Sequence, residues 1–331
     1  MQLFVKFAVV ISIGLGVRGT SKADEAINKS LKLLGKSALT YTKKRKCFTC
    51  HHQALPAMTM ALAKKKGWQI DTVSATTQRQ FTHHYFDTRR KAVAAGKGVP
   101  GGAYNAGYAL ISLSLAKHAA DETTDAMVSY LYQKQKKDGR WPIRTHRPPL
   151  EDSDFTATAL SLRAVQLYAR KNHKKDLQDR VSRARSWLVK SQKLARTHED
   201  QVFRLFGLSW SHADPKSIQA ALDTLLKRQQ KNGGWKQLTK SKSTDAYATG
   251  QAAVVLLQAG KLKRDHKSIL RAITYLRETQ LADGSWLVNS RSKPFQKYFE
   301  SGFPHKKNQW ISICGSCWAT MALIEARPPR R

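Results

Sequence analysis

The chain has 331 residues, 41% of them hydrophobic, enough for a real core. Charged residues make up 24%, near the globular average, but 58 Lys and Arg against 23 Asp and Glu give a formal net charge of +35. Such a balance speaks to partners rather than fold: it suits anionic surfaces such as membrane head groups or acidic polysaccharide. Nucleic acid is the least favoured polyanion, because no basic arm or nucleic-acid motif is present.

The first 23 residues read as a secretory leader: Lys6, an apolar run over Phe7–Val17, then small residues before a cut after Ala23. No later segment approaches the roughly 18 apolar residues of a membrane span. The expected mature protein is therefore exported, periplasmic or secreted, and either soluble or peripheral.

From residue 24 onward the segments alternate. "AINKSLKLLGK", near residue 26, is amphipathic; "CFTCHHQALPAMTMALAKK", from Cys47, is apolar on most faces. "SATTQRQFTHHYF", from Ser74, is a weakly amphipathic segment, with His83 and His84 on a face expected to meet solvent. "YNAGYALISLSLAKHA" from Tyr104 is again apolar. "MVSYLYQKQ" follows with apolar spacings of three and four and runs into "QKKDGRW", Gln135–Trp141. "DFTATALSLRAVQLYAR" from Asp154 is apolar. "RARSWLVKSQ", Arg183–Gln192, is amphipathic but has no Gly-x-Trp after its Gln. "DQVFRLFGLSW" from Asp200 follows, then "ALDTLLKRQ" with "QQKNGGW", Gln229–Trp235. "DAYATGQAAVVLLQAG" from Asp245 precedes "AITYLRETQ" with "QLADGSW", Gln280–Trp286. A loop carrying Phe295, Tyr298, Phe299, Phe303 and His305 reads as a lid or a packed closure over one rim. "CGSCWATMALIEA" from Cys314 ends the series.

Three copies of Gln-x-x-x-Gly-x-Trp at helix ends form a repeat with a mechanism. The Gly supplies a left-handed residue after the helix, the Trp folds back over the end, and the Gln amide bonds unpaired backbone groups. Six amphipathic helices alternating with six buried ones predict an all-α fold: a single (α/α)6 toroid over residues 24–331, inner helices around a cavity and outer helices in water. Its first and last repeats become neighbours when the ring closes.

The Gln-x-x-x-Gly-x-Trp copies resemble the QW motifs of the terpenoid cyclase family, which includes the squalene-hopene cyclases and relates to prenyltransferase and squalene oxidase repeat proteins. The resemblance covers about residues 25–327 and implies the α/α toroid and an apolar or isoprenoid-like ligand in the central cavity. It also implies, as an alternative, a terpenoid cyclase (an isomerase). Such cyclases protonate an alkene with the middle Asp of Asp-x-Asp-Asp-Thr-Ala. Here Asp152, Asp154, Thr156 and Ala157 match, while Phe155 replaces the third acid. Asp154 would be the general acid, with Phe155, Tyr104, Tyr108, Tyr247 and Trp318 near the cavity mouth to stabilise cations. The competing reading of Asp152 and Asp154 is a helix cap, since Asp245 stands at the same point of its own repeat.

Four cysteines carry three further readings. Cys47-x-x-Cys50-His51 is the attachment pattern of c-type haem, with His51 as proximal ligand and Met58, Met60, His52, His83 or His84 as candidate distal ligands. Cys47, Cys50, Cys314 and Cys317 begin the first and last inner helices, so they could instead form two disulfides or hold one tetrahedral zinc.

Overall fold

The computed structural model describes residues 22–170, 174–294 and 296–330; the expected leader, apart from its last two residues, and Phe295 lie outside them. The helices run α1 (Lys22–Lys44), α2 (Leu55–Lys65), α3 (Thr72–Asp87), the short α4 (Arg90–Ala94), α5 (Gly102–Leu115), α6 (Glu122–Lys134), α7 (Asp154–Tyr168), α8 (Lys174–Lys190), α9 (His198–Trp210), α10 (Pro215–Leu226), α11 (Ala246–Gln258), α12 (Lys267–Glu278) and α13 (Gln309–Glu325). No strand occurs among the described residues beyond two isolated bridges, Arg147 with Glu151 and Trp235 with Asp245. None of the helices is long and apolar enough to cross a membrane.

Residue chemistry sorts the two layers. Ala246 to Leu256 of α11 are all buried, so that helix is inner. In α12 the buried residues are Ser268, Ile269, Ala272 and Leu276, one stripe at helical spacing, and Leu270 between them is exposed. The inner helices α2, α5, α7, α9, α11 and α13 each pack on the next, and α13 packs on α2 to shut the ring. Close approach demands small residues: a Cβ on Gly250 of α11 would lie 2.5 Å from the Ala319 nitrogen of α13. Between the first and last repeats, the Ser30 and Thr320 hydroxyls bond at 2.7 Å.

The repeat motif performs the roles its composition implies. Gly139, Gly233 and Gly284 all have positive φ. The indole Nε1 of Trp141, Trp235 and Trp286 donates to the carbonyl of Leu131, Leu225 and Leu276 at 2.7–2.8 Å, in each case the residue four before the motif's Gln. Each Gln amide bridges two elements. Gln135 donates to the carbonyls of Gly139 and Arg180, Gln229 to those of Gly233 and Ser268. Gln280 donates to those of Gly284 and Ala26, the latter in α1, so the third bridge helps close the ring.

Candidate functional site

The inner helices run parallel through the ring, and their two ends differ. Toward their C-terminal ends a cavity of about 820 Å3 opens to solvent. Mid-helix residues Tyr108, Leu160, Phe203, Val254 and Trp318 form its floor, and Met58, Leu62, Phe206 and Trp210 contribute to its walls. Five cations, Lys64, Lys65, Arg79, Lys117 and Arg163, line it against one acid, Glu325, which is paired at 2.8 Å with Lys66. Four of the five come from helix ends, the outer α3 or a loop. Arg163 belongs to the inner helix α7 itself; it is half-buried, and its guanidinium lies 5.8 Å from the Trp210 ring. No carboxylate or carbonyl among the described residues bonds it, and burial lowers its pKa.

Toward the N-terminal ends the ring is filled. Glu199, in the first turn of α9, is buried at 4% exposure. Its carboxyl accepts from the Tyr247 hydroxyl (2.8 Å), the Gln251 amide (2.9 Å) and the Thr156 hydroxyl (3.2 Å). Burial pushes its pKa up to about 8 despite those three donors. Tyr104, Tyr108, Cys50 and Cys314 are fully or almost fully buried around the same centre.

The sequence-derived site residues separate between these regions. Tyr108 and Trp318 form part of the cavity floor; Tyr104 and Tyr247 lie beneath it with Glu199. Phe155 turns outward and packs on Trp187 of α8, ring centroids 4.7 Å apart. Asp154 accepts from the Ile143 amide at 2.8 Å and stands 3.5 Å from the Arg140 guanidinium, binding the loop that follows Trp141. Asp152 bonds His146 in that loop. Ser153 between them is the N-cap of α7, bonding the amides of Phe155 and Thr156. Among the described residues the most deeply buried acid of the ring is Glu199. It was hidden in "THED", where Thr197 and Asp200 form a capping box and make every acid nearby look like a cap.

The geometry around Cys47, Cys50 and His51 gives the haem reading no support. Cys50 opens a single π-helical turn, Cys50–Ala54, leading into α2, and its thiol is buried. Cys47 is exposed, and its sulfur lies 3.2 Å from the Tyr41 hydroxyl. His51 and His52 pack edge to face on each other and against Tyr41 and Trp310. Met60 is buried in the core and Met58 lines the cavity, while His84 is exposed and His83 turns inward to bond Asp121.

All four cysteines are free, so the disulfide expectation gains no support. Among the described residues no three of their sulfur atoms gather within 4.8 Å of one another. Ring closure does bring Cys50 and Cys314 to the same buried centre, but Cys314 donates to the Trp310 carbonyl at 3.2 Å and Cys317 is hydrogen-bonded with Thr59. The loop after Trp286 is a packed closure: Phe303 is buried, Phe299 lies under the Arg45 guanidinium, and Lys44 donates to the Glu300 carbonyl. His305 bonds Ser285 at 2.7 Å.

No family model and no curated protein sequence matches the chain. Similarity appears among solved structures, at the level of fold. The type II terpene cyclase of Scytonema matches with a TM-score of 0.56 at 15% identity, over 92% of this chain and 98% of that one. A complex of that cyclase with its substrate geranylgeranyl dihydroxybenzoate gives 0.53 at 14%, over 91% and 98%. The unsaturated glucuronyl hydrolase of Bacillus sp. GL1, responsible for the degradation of glycosaminoglycan, gives 0.58 at 10%, over 91% and 96%. Both proteins are α/α toroids, so the fold is shared while the chemistry differs between them.

Proposed function

We propose that the chain binds an anionic amphiphile in its central cavity, an isoprenoid-like or comparable apolar chain with a carboxylate or phosphate at one end. One observation carries the reading: Arg163, a half-buried guanidinium without an ionic partner, stands in a cavity otherwise floored by aliphatic and aromatic side chains. An unpaired cation in such a place is costly unless an anion joins it. The volume lies within the roughly 300–1,000 Å3 of small-molecule pockets. The four other cations line the same cavity and would draw the anionic end inward. The terpene cyclase of similar fold binds geranylgeranyl dihydroxybenzoate, itself a long apolar chain on a benzoate. The apolar floor favours such a ligand over an acidic sugar, and the net charge of +35 suits loading from an anionic membrane surface.

Binding is favoured over acid catalysis because the buried acid with the raised pKa does not border the cavity. Glu199 is absent from its lining, whereas Tyr108 borders the cavity and lies in the buried cluster around that acid. Asp154 stands on the loop side of α7. The test is quenching of Trp210 and Trp318 fluorescence by geranylgeranyl phosphate and by the uncharged geranylgeraniol. The phosphate should bind more tightly, and Arg163→Gln should weaken it by about tenfold to a hundredfold, the range of a charged hydrogen bond, with little effect on the alcohol. Equal loss for both ligands, or phosphate binding that Arg163→Gln leaves intact, would remove the anionic head from the reading.

A further inference from the structure

Beside the cavity mouth, three elements bring His83, His118 and Asp121 together. His83 lies on α3, His118 in the loop leaving α5, and Asp121 is the N-cap of α6. One carboxylate oxygen, Asp121 Oδ2, accepts from His83 Nε2 at 2.7 Å and from His118 Nε2 at 3.0 Å. The imidazole centroids are 4.6 Å apart, and one ligand atom from each residue falls within 4.8 Å of the other two. All three side chains are partly exposed, so one side of the cluster is open to water.

Groups outside the trio hold it in place. The other Asp121 oxygen accepts from the Thr124 amide at 2.9 Å, and the Thr124 hydroxyl accepts from the Asp121 amide at 2.8 Å. The His118 carbonyl accepts from the Tyr168 hydroxyl at 2.9 Å, after Lys117 has turned the chain with φ of 56°. Thr123 of α6 donates to Asp87 of α3 at 2.8 Å and fixes the distance between the two helices that carry His83 and Asp121.

We propose that His83, His118 and Asp121 form a binding site for a divalent first-row transition metal, of which zinc is the type. Two imidazoles and a carboxylate are borderline-hard donors suited to that ion, and three protein ligands with an open side leave room for water to complete the shell. Binding replaces the two Nε2–H···Oδ2 hydrogen bonds with bonds to the metal, the proton of each neutral ring moving to Nδ1, and needs the two N···O separations of 2.7 and 3.0 Å to widen by only about a few tenths of an ångström. One neighbour opposes the ion. The Arg79 guanidinium lies 3.5 Å from His118 Nδ1, which must carry the proton once Nε2 is metallated. The bound ion would tie α3 to α6 at the cavity mouth.

The test is titration of the chelator-treated full chain with zinc against a chromophoric chelator, with cobalt(II) visible absorption as a second readout. One equivalent should bind with micromolar affinity or better, and cobalt should show the intense bands of a four- or five-coordinate site. His83→Ala and His118→Ala should each weaken binding at least tenfold. Asp121→Asn, which keeps the helix cap and so the fold, should do the same. Arg79→Gln should strengthen binding, and Cys47→Ser, removing the exposed thiol, should leave it unchanged. Absence of a stoichiometric site in folded wild-type protein, or binding that survives both histidine variants, overturns the proposal.

Discussion

The three intact repeats and the decayed fourth solve the same problem with different residues. At the end of α6, α10 and α12 a Trp indole meets the carbonyl four residues before the motif's Gln. At the end of α8 no Gly-x-Trp follows Gln192, and the equivalent carbonyl, Leu188, instead accepts from Arg204 Nε at 2.9 Å. Arg204 comes from the inner helix α9, is buried at 1% exposure, and leaves Nη1 without a partner. The Gln bridge is lost as well: Gln192 is exposed, where Gln135, Gln229 and Gln280 each join two elements. A buried helix end must find a donor, but nothing requires the donor to be the motif's own. The substitution also changes α9. Where α11 and α13 bury mainly Ala, Ser, Thr and aliphatic residues, α9 buries His198, Glu199, Asp200, Gln201 and Arg204.

That contrast can be broken by mutation. Trp235→Ala should cost about 3–5 kcal/mol in denaturant unfolding, the usual price of a large aromatic lost from a core. Arg204→Leu should cost less, on the order of 1–3 kcal/mol, because it strands the Leu188 carbonyl while relieving a buried charge. If the two losses match, the arginine is a full structural equivalent of the tryptophan.

The polarity of α9 predicts a pH effect. Glu199, with a folded pKa of about 8 against an ordinary 4.5, keeps a proton that the unfolded chain has released. Its contribution to stability is complete below pH 4.5, falls as pH rises, and is gone above about 8. Buried His51 and His198, both lowered to about 3 by burial, act in the opposite sense but only between about 3 and 6.5. Between pH 6.5 and 8 the melting temperature should therefore fall, and Glu199→Gln should flatten that slope. A slope unchanged in the variant would show that the acid is already ionised.

The smallest effects test the bridges. Gln280→Ala should cost about 1–3 kcal/mol, since it strands carbonyls on both sides of the ring closure. Gln192→Ala, at the same motif position, should stay within about 0.5 kcal/mol of the parent. A measurable loss at Gln192 would mean that the fourth repeat keeps a bridge of its own.

The cysteine motif shows what a short pattern leaves open. Cys47-x-x-Cys50-His51 has the spacing of a haem site, yet the π-helical turn at Cys50 buries one thiol and leaves the other exposed beside Tyr41. The pattern fixes how far apart the residues are along the chain, not which way they face. Asp154 teaches the same lesson: its match to the cyclase motif was legible, and so was its alternative as a helix-start residue, but only packing directs it to the Ile143 amide.

By itself the sequence determined the ring. Helical periodicity, the three glycine turns and the alternation of amphipathic with apolar segments are local properties, and each can be read within about ten residues. It could not determine the site. Arg163, Glu199 and the trio of His83, His118 and Asp121 take their character from burial, from missing partners and from neighbours on other helices. Those conditions arise only when the twelve layered helices close on one another, because desolvation and ligand convergence depend on distances in space.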